Sequence, residues 1–376
     1  MVMKRIVLTG GGSGGHLFPL LAIADALQKS GTDLELVYLG PRDQYRPEFL
    51  KRDIRTYSIV SSKLRRYFSL ANVFDFPKFL VSFFQALLRL YFLMPDAVFS
   101  KGGPGALPVV LAAKFYMIPI VIHESDTVPG LTNKISGKLA KKIDLSFEES
   151  AVYFKGSKIT IAGNPVRTAL MEMVPSKEVA RERFGFDKTL PLILVLGGSQ
   201  GATRINQFIF DNFEPLLKES QICHQVGAAN FEEAKLLVSS LSGEMSSLYS
   251  SRYKLFGFME AEEMKYALAA ADIVLSRSGS GSIFETAFFG KPSILVPLPE
   301  AAGDHQKMNA YAYAKTGAAF VIESDNLKLD VVLIKIKDIL SAPGAYERMS
   351  AAAKGFAKPD AAAVIAKDIL SVSAVN

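Results

Sequence analysis

The sequence predicts an α/β protein made of two doubly wound parallel-sheet domains. Three observations predict it: short apolar, β-branched runs alternate with helix-length segments, a strand-plus-glycine pattern returns in the second half, and 376 residues suffice for two cores. The strand-like runs are Arg5–Thr9, Leu34–Leu39, Ala97–Ser100, Ile118–Ile122, Leu192–Leu196, Lys254–Gly257, Ile273–Ser276 and Ser293–Val296. Most are continuously apolar, as parallel strands covered on both faces must be.

The recurrence is specific. Arg5-Ile6-Val7-Leu8-Thr9-Gly10-Gly11 and Leu192-Ile193-Leu194-Val195-Leu196-Gly197-Gly198 are each a strand that ends in glycines before a polar turn and a helix. Asp96-Ala97-Val98-Phe99-Ser100-Lys101-Gly102-Gly103 then aligns without a gap on Asp272-Ile273-Val274-Leu275-Ser276-Arg277-Ser278-Gly279. A short helix and a proline-led strand follow each, Pro119–Ile122 and Pro292–Val296. The same order in both halves predicts two Rossmann-like domains, 1–164 and 165–350. An Ala-rich helical tail, 351–376, is broken at Pro359 and is expected to pack back on the first domain.

Composition narrows the function. Apolar side chains make up 49% and charged ones 21%, an ordinary globular balance that excludes a disordered tail protein. Forty-three Lys and Arg against 37 Asp and Glu leave a charge of +6, which suits an anionic ligand or surface but not a nucleic-acid arm. The lone Cys223 excludes a disulfide framework and a cysteine-based zinc site. Met1–Leu8 lack the apolar core of a signal peptide, so the default expectation is cytoplasmic.

The longest apolar run, Phe79–Met94, has 16 residues interrupted by Gln85 and Arg89, short of the roughly 20 needed to span a bilayer. It reads as an amphipathic helix carrying Phe79, Phe83, Phe84, Leu87, Leu88 and Tyr91, with Lys63, Arg65, Arg66 and Lys78 ahead of it. Two placements fit, a core helix or one lying in a membrane interface, and different faces of the helix can satisfy each.

Gly10–His16 (GGGSGGH) lies between the first strand and a helix placed near Pro19. Its glycines allow close backbone approach, and its free amides suit an anionic or polyhydroxylated ligand. A dinucleotide fingerprint is not supported, because the second strand ends in Gly40-Pro41-Arg42 without an acidic residue, and no Gly-Lys-Ser/Thr completes a Walker loop. His16 is either a base near neutral pH or a cap of its turn. Gly197–Ala202 (GGSQGA) repeats the glycine theme, with Ser199 and neighbouring amides suited to a pyrophosphate. Arg277–Glu285 (RSGSGSIFE) adds another glycine-rich helix start, with Glu285 suited to ribose hydroxyls or, alone, to a solvated surface. Asp304-His305-Gln306 with Asn309, and His123-Glu124, follow or end strands where doubly wound sheets contact ligands. No pair has zinc-ligand spacing and no Asp-x-Asp is placed to chelate a metal–nucleotide.

Taken together these residues resemble the MurG family of GT-B glycosyltransferases. The resemblance runs from Lys4 to about Gly317 through Gly10–Pro19, His123–Lys134, Gly163–Arg167, Gly197–Ala202, Ser276–Glu285 and Asp304–Ala310. It implies two Rossmann-like domains facing across a cleft and inverting transfer of N-acetylglucosamine from UDP-GlcNAc to the C4 hydroxyl of MurNAc in lipid I, giving lipid II. It implies that Ser13, Gly14 and Gly15 line the donor side, that Arg167 contacts the nucleotide sugar and that Ser199 binds diphosphate. Met259 would hold uracil through its backbone, and Ser280, Gly281, Ser282, Ile283, Phe284 and Glu285 would cup the nucleotide, with Glu285 on the ribose. Gln306, with His305, would meet GlcNAc hydroxyls. The family's Glu-Gln-Asn is here Glu124-Ser125-Asp126, so Asp126 takes the sugar-contacting place, and the second loop is rewritten as Lys101–Pro108.

His16 is the first candidate for the catalytic base and Glu124 the second. Cofactors and bound metal are expected to be absent, the leaving diphosphate being met by helix amides. The implied partners are UDP-GlcNAc, lipid I and the anionic cytoplasmic face of the membrane, held peripherally, with no nucleic acid. Rival readings are a glycolipid synthase, a UDP-GlcNAc 2-epimerase, or a noncatalytic nucleotide-sugar-binding module.

Overall fold

The structure, a computed structural model, describes residues 3–11, 14–42, 46–60, 70–103, 105–155, 158–198, 201–240, 243–299 and 302–373, with backbone alone at 70–75, 158, 243–247 and 302. The chain forms two compact units, Met1–Val166 with Lys358–Asn376, and Arg167–Ala357.

The first unit holds β1 (Lys4–Thr9), β2 (Leu34–Pro41), β3 (Arg55–Ile59), β4 (Ala97–Ser100), β5 (Ile120–Glu124), β6 (Lys142–Leu145) and β7 (Lys158–Ile161). They form one parallel sheet in the order β3-β2-β1-β4-β5-β6-β7. The second unit holds β8 (Leu192–Leu196), β9 (Gln221–Gln225), β10 (Tyr253–Phe256), β11 (Ile273–Ser276), β12 (Ser293–Leu295) and β13 (Ala319–Val321), parallel in the order β10-β9-β8-β11-β12-β13. In each sheet the order reverses beside the first strand, between β1 and β4 and between β8 and β11. Ligands in doubly wound sheets bind at the carboxyl ends beside such a reversal. The repeat read from the sequence is the same pairing made twice: Thr9 opposes Ser100 as Leu196 opposes Ser276.

Alternation along each strand explains the two covered faces. Ile6 and Leu8 join the helix Gly14–Gln28 and the terminal helix Ala361–Val372, whose Ile365, Ala366 and Ile369 are buried there. Val7 and Val98 face the helices Leu70–Leu93 and Ala106–Phe115 through Leu90, Leu93, Val109 and Ala113. Lys142 and Thr160 both bond the Asp368 carboxylate, tying the terminal helix to β6 and β7. Burial, with the Asp368 charge beside it, pushes the Asp144 carboxyl up to about 9, so it is neutral at physiological pH.

Several expectations need correction. Five strands went unread, β3, β6, β7, β9 and β13, because they are short or carry polar residues inside. In β9, Gln221, His224 and Gln225 are buried. The fourth run begins only after Pro119 and continues through His123 and Glu124, which makes both sheet residues. The first helix starts at Gly14, not near Pro19, which sits inside it. The chain crosses into the second unit after Val166 and leaves it after Ala357, since the helix Ala345–Phe356 runs unbroken through residue 350. The 16-residue apolar run belongs to a longer helix, Leu70–Leu93, of 24 residues. Its segment Phe76–Leu93 is long and apolar enough, by length and composition, to cross a membrane. One face of it is committed to the sheet, however, through buried Ala86, Leu90 and Leu93 and through Gln85, whose Oε1 accepts the Val60 N–H at 2.9 Å.

Candidate active site

In the first unit the glycine loop and the segment after β4 meet at the reversal. The Lys101 N–H donates to the Thr9 carbonyl at 2.9 Å, and the Tyr38 hydroxyl donates to the Gly10 carbonyl at 2.6 Å. Gly14, Gly15 and His16 form the first turn of a helix, so their amides lie at its positive end. The His16 ring lies against Gly103, whose φ is +86°. A Cβ there would stand 2.6 Å from the Gly11 carbonyl oxygen and 3.4 Å from His16 Nε2, so only glycine lets the imidazole sit this close to the second loop. Ser13 lies outside the described residues.

His123 and Glu124 end β5 in a buried polar cluster. The Nε2–H of His123 donates to the Gly163 carbonyl at 2.9 Å, and burial with the nearby Lys101 charge holds its pKa well below the usual histidine range. It is therefore a neutral structural imidazole. The Glu124 carboxylate accepts from the Asp126 N–H (2.9 Å), the Gly130 N–H (3.2 Å) and Asn133 Nδ2 (2.9 Å). Burial pushes it up to about 7, and the Asp126 charge adds to the shift. Three donors and near-complete burial make Glu124 the organiser of the turn after β5. Asn133, to which the sequence reading gave no task, also donates to the His123 carbonyl at 3.0 Å. It sits in the His123–Lys134 stretch already picked out, and the turn it clamps carries the half-exposed Asp126.

In the second unit the loop after β8 is braced from below. Arg277 donates to the carbonyls of Gly201 (3.1 Å) and Gly197 (3.5 Å), placing a cation under the loop. Ser199 lies outside the described residues. The same guanidinium reaches Gln306 Oε1 at 3.5 Å, which also accepts the Leu298 N–H at 3.2 Å, and Ser278 Oγ donates to the Gln306 carbonyl at 2.7 Å. Gln306 is thus buried and oriented, with half-buried His305 beside it at the helix start.

The helix Ser280–Phe288 begins right after the loop that follows β11. Ser280 is buried, and Gly281 and Ser282 are half-buried. Ile283 and Phe284 point into the core, Phe284 packing on Phe356 with ring centroids 4.8 Å apart, so their side chains cannot cup a nucleotide. The helical period puts Glu285 on a different face. There its carboxylate forms a two-pronged pair with Arg167, Nε at 2.7 Å and Nη2 at 2.9 Å. The two residues were assigned to the nucleotide sugar separately, and the structure joins them. Met259 is buried, and its N–H donates to Gln225 Oε1 at 2.9 Å, while Gln225 Nε2 reaches the Gly198 carbonyl at 3.4 Å. A uracil read through that N–H must displace Gln225, a residue hidden from sequence reasoning because its strand carries too little apolar signal. Among the described residues no three His, Cys, Asp or Glu converge as metal ligands.

Two doubly wound sheets, each with a glycine loop at its reversal, are the architecture of the GT-B class, and the family models place the chain among its glycosyltransferases. The glycosyltransferase family 28 N-terminal domain matches residues 6–144 and its C-terminal domain residues 192–365. Within that class, the chain belongs to the MurG family. It is 38% identical over 344 residues, 91% of each chain, to the UDP-N-acetylglucosamine–N-acetylmuramyl-(pentapeptide) pyrophosphoryl-undecaprenol N-acetylglucosamine transferase of Clostridium botulinum. The enzyme of the same name from Caldicellulosiruptor saccharolyticus is 35% identical over 370 residues, 96% of each chain. The crystal structure of Acinetobacter baumannii MurG matches with a TM-score of 0.74 at 28% identity, covering 98% of this chain and 99% of that one. A UDP-GlcNAc 2-epimerase from Neisseria meningitidis shares the fold alone, with a TM-score of 0.66 at 16% identity over 98% of this chain and all of the other.

Proposed function

We propose that this enzyme transfers N-acetylglucosamine from UDP-GlcNAc to the C4 hydroxyl of the MurNAc unit of lipid I with inversion, producing lipid II for peptidoglycan. The identity of 38% across 91% of a transferase named for that donor and acceptor carries the reading. The acceptor oxygen forms a bond to C1 of the sugar as the bond from C1 to the UDP oxygen breaks. His16 takes the hydroxyl proton, and the departing diphosphate takes the electron pair. The amides of the loop after β8, the amino end of the helix Ser280–Phe288 and the Arg277 cation meet the charge that develops on UDP. Ser199 and Ser280–Ser282 contact the diphosphate side, Glu285 the ribose hydroxyls and Met259 the uracil. Gln306, its Oε1 already engaged, offers its amide N–H groups to the sugar, with His305 beside it. Ser13, Gly14, Gly15 and Asp126 belong to the first unit's share of the substrates.

The test is incubation with radiolabelled UDP-GlcNAc and a short-chain lipid I analogue. A β1,4-linked disaccharide product is expected; release of UDP with an epimerised sugar and no acceptor product would replace this reading with the epimerase one.

A peripheral position on the cytoplasmic membrane face fits the same substrate, whose lipid stays in the bilayer. Phe76, Leu80, Phe84, Leu88 and Phe92 recur at every fourth residue of the helix Leu70–Leu93, and all are exposed. They make an apolar stripe roughly 24 Å long at 1.5 Å per residue, flanked by exposed Lys78 and Arg89. Lys63, Arg65 and Arg66 lie outside the described residues. Phe84→Glu with Phe92→Glu is expected to abolish co-flotation with vesicles containing anionic lipid while leaving UDP binding intact. Unchanged flotation would remove the stripe from the membrane contact.

A further inference from the structure

Gln225 ends β9 and joins two segments of the second unit, the loop after β8 and the segment after β10. Its backbone carbonyl accepts the Gly197 N–H at 3.3 Å, and its Nε2 reaches the Gly198 carbonyl at 3.4 Å. Its Oε1 accepts the Met259 N–H at 2.9 Å. These partners fix which way the amide points, since a backbone N–H needs the oxygen and a carbonyl needs the NH2. Gln225 is 3% exposed and Met259 fully buried, so the Met259 N–H already has an acceptor withdrawn from water. Both backbones are held. Gln225 lies in the ladder between Leu196 and Phe256, and Met259 leads into Glu260, whose N–H donates to Glu263 Oε2 at 3.2 Å at the start of the helix Ala261–Ala270. The Gln225 side chain is the part that a change of rotamer can move.

We propose that Gln225 is an internal competitor of the nucleobase: its carboxamide holds the Met259 N–H until a base takes that N–H, and its departure releases the Gly198 carbonyl of the diphosphate loop in the same movement. The proposal rests on the reading of Met259 as the uracil contact. A carboxamide presents C=O beside N–H, the same acceptor next to a donor that uracil presents with C4=O and N3–H, so the exchange replaces one amide bond with another of similar strength. The Gln225 side chain thus links the base segment to the diphosphate loop, and a base that arrives loosens the loop as it binds. UDP is also the product of the transfer. On its release the side chain returns to Met259, which weakens product binding and favours turnover. An internal competitor lowers apparent affinity by the fraction of molecules in which it holds the site.

The experiment measures UDP affinity by calorimetry and amide hydrogen exchange at Met259, with and without UDP, in the wild type, Gln225→Ala and Gln225→Met. Gln225→Met keeps the volume of the side chain but neither hydrogen bond, so it decides the matter if the smaller residue unfolds the sheet. Both variants are expected to bind UDP about three- to tenfold tighter than the wild type, the scale of one or two net hydrogen bonds. The Met259 N–H should exchange slowly in the wild type in either condition. In the variants it should exchange fast without UDP and slowly with it. UDP affinity that falls or stays level in the variants, with Met259 still protected by UDP, would make Gln225 a plain brace and overturn the proposal while leaving the uracil reading standing. Fast exchange at Met259 in UDP-saturated variants would remove the uracil contact and the proposal with it.

Discussion

His16→Ala is expected to lower kcat for the transfer by about 10²–10⁴-fold, the range for loss of a positioned general base, with UDP affinity unchanged. The imidazole is held in the first helical turn against Gly103, on the unit opposite in sequence to the one that holds Arg167, Glu285 and Met259. A loss confined to kcat therefore separates proton transfer from donor binding. Glu124→Gln should behave differently. It keeps the shape of a side chain that accepts three hydrogen bonds but replaces one acceptor oxygen with a donor, facing an N–H that also donates. The expected result is a less stable turn and a raised acceptor KM, seen as a lower melting temperature, with the pH profile of kcat retained. Loss of the profile's basic group in Glu124→Gln, together with an active His16→Ala, would transfer the base to Glu124.

Glu285→Ala is expected to reduce kcat/KM by about 10²-fold, mostly through the KM for UDP-GlcNAc. On the proposed reading two effects combine: the ribose loses its acceptor, and the Arg167 guanidinium, 12% exposed, loses the carboxylate that accepts from its Nε and Nη2. A 10²-fold loss corresponds to about 2.7 kcal/mol of transition-state binding, and, separately, stranding a mostly buried guanidinium should lower the melting temperature. Arg167→Ala distinguishes a direct role from an indirect one. If Arg167 acts by aiming Glu285, each single variant and the double variant should lose similar amounts, because the interaction is already gone after the first change. Losses that multiply in the double variant would place Arg167 on the nucleotide itself.

Much of the architecture was legible because parallel strands leave a plain signature. β1, β4, β8 and β11 are apolar, short and followed by glycine, and their recurrence in the same order disclosed both units. β9 was not legible, since Gln221, His224 and Gln225 sit in it and their burial is satisfied by partners far away in sequence: His224 by Tyr253 and Asn206, Gln225 by Met259. The same limit governs the site. Glu285 and Arg167 were both singled out, yet their pairing across 118 positions was not, and the motif that named Ile283 and Phe284 records positions and not that their side chains are buried. Helix length was underestimated at Phe79–Met94 for a related reason, since Asp75, Pro77 and Lys78 end the apolar run on its amino-terminal side without ending the helix.

The order of residues alone determined the class of fold, the family and the glycine loops at the two sheet reversals, because those depend on local periodicity and on glycine where the backbone must come close. Only the tertiary structure decided that Glu124 braces a turn, that Arg167 grips Glu285, that Gln225 holds Met259 and that Lys101 is buried beside Ser125. Each of these rests on a polar group withdrawn from water, and its state is set by partners that the fold, not the neighbouring sequence, supplies.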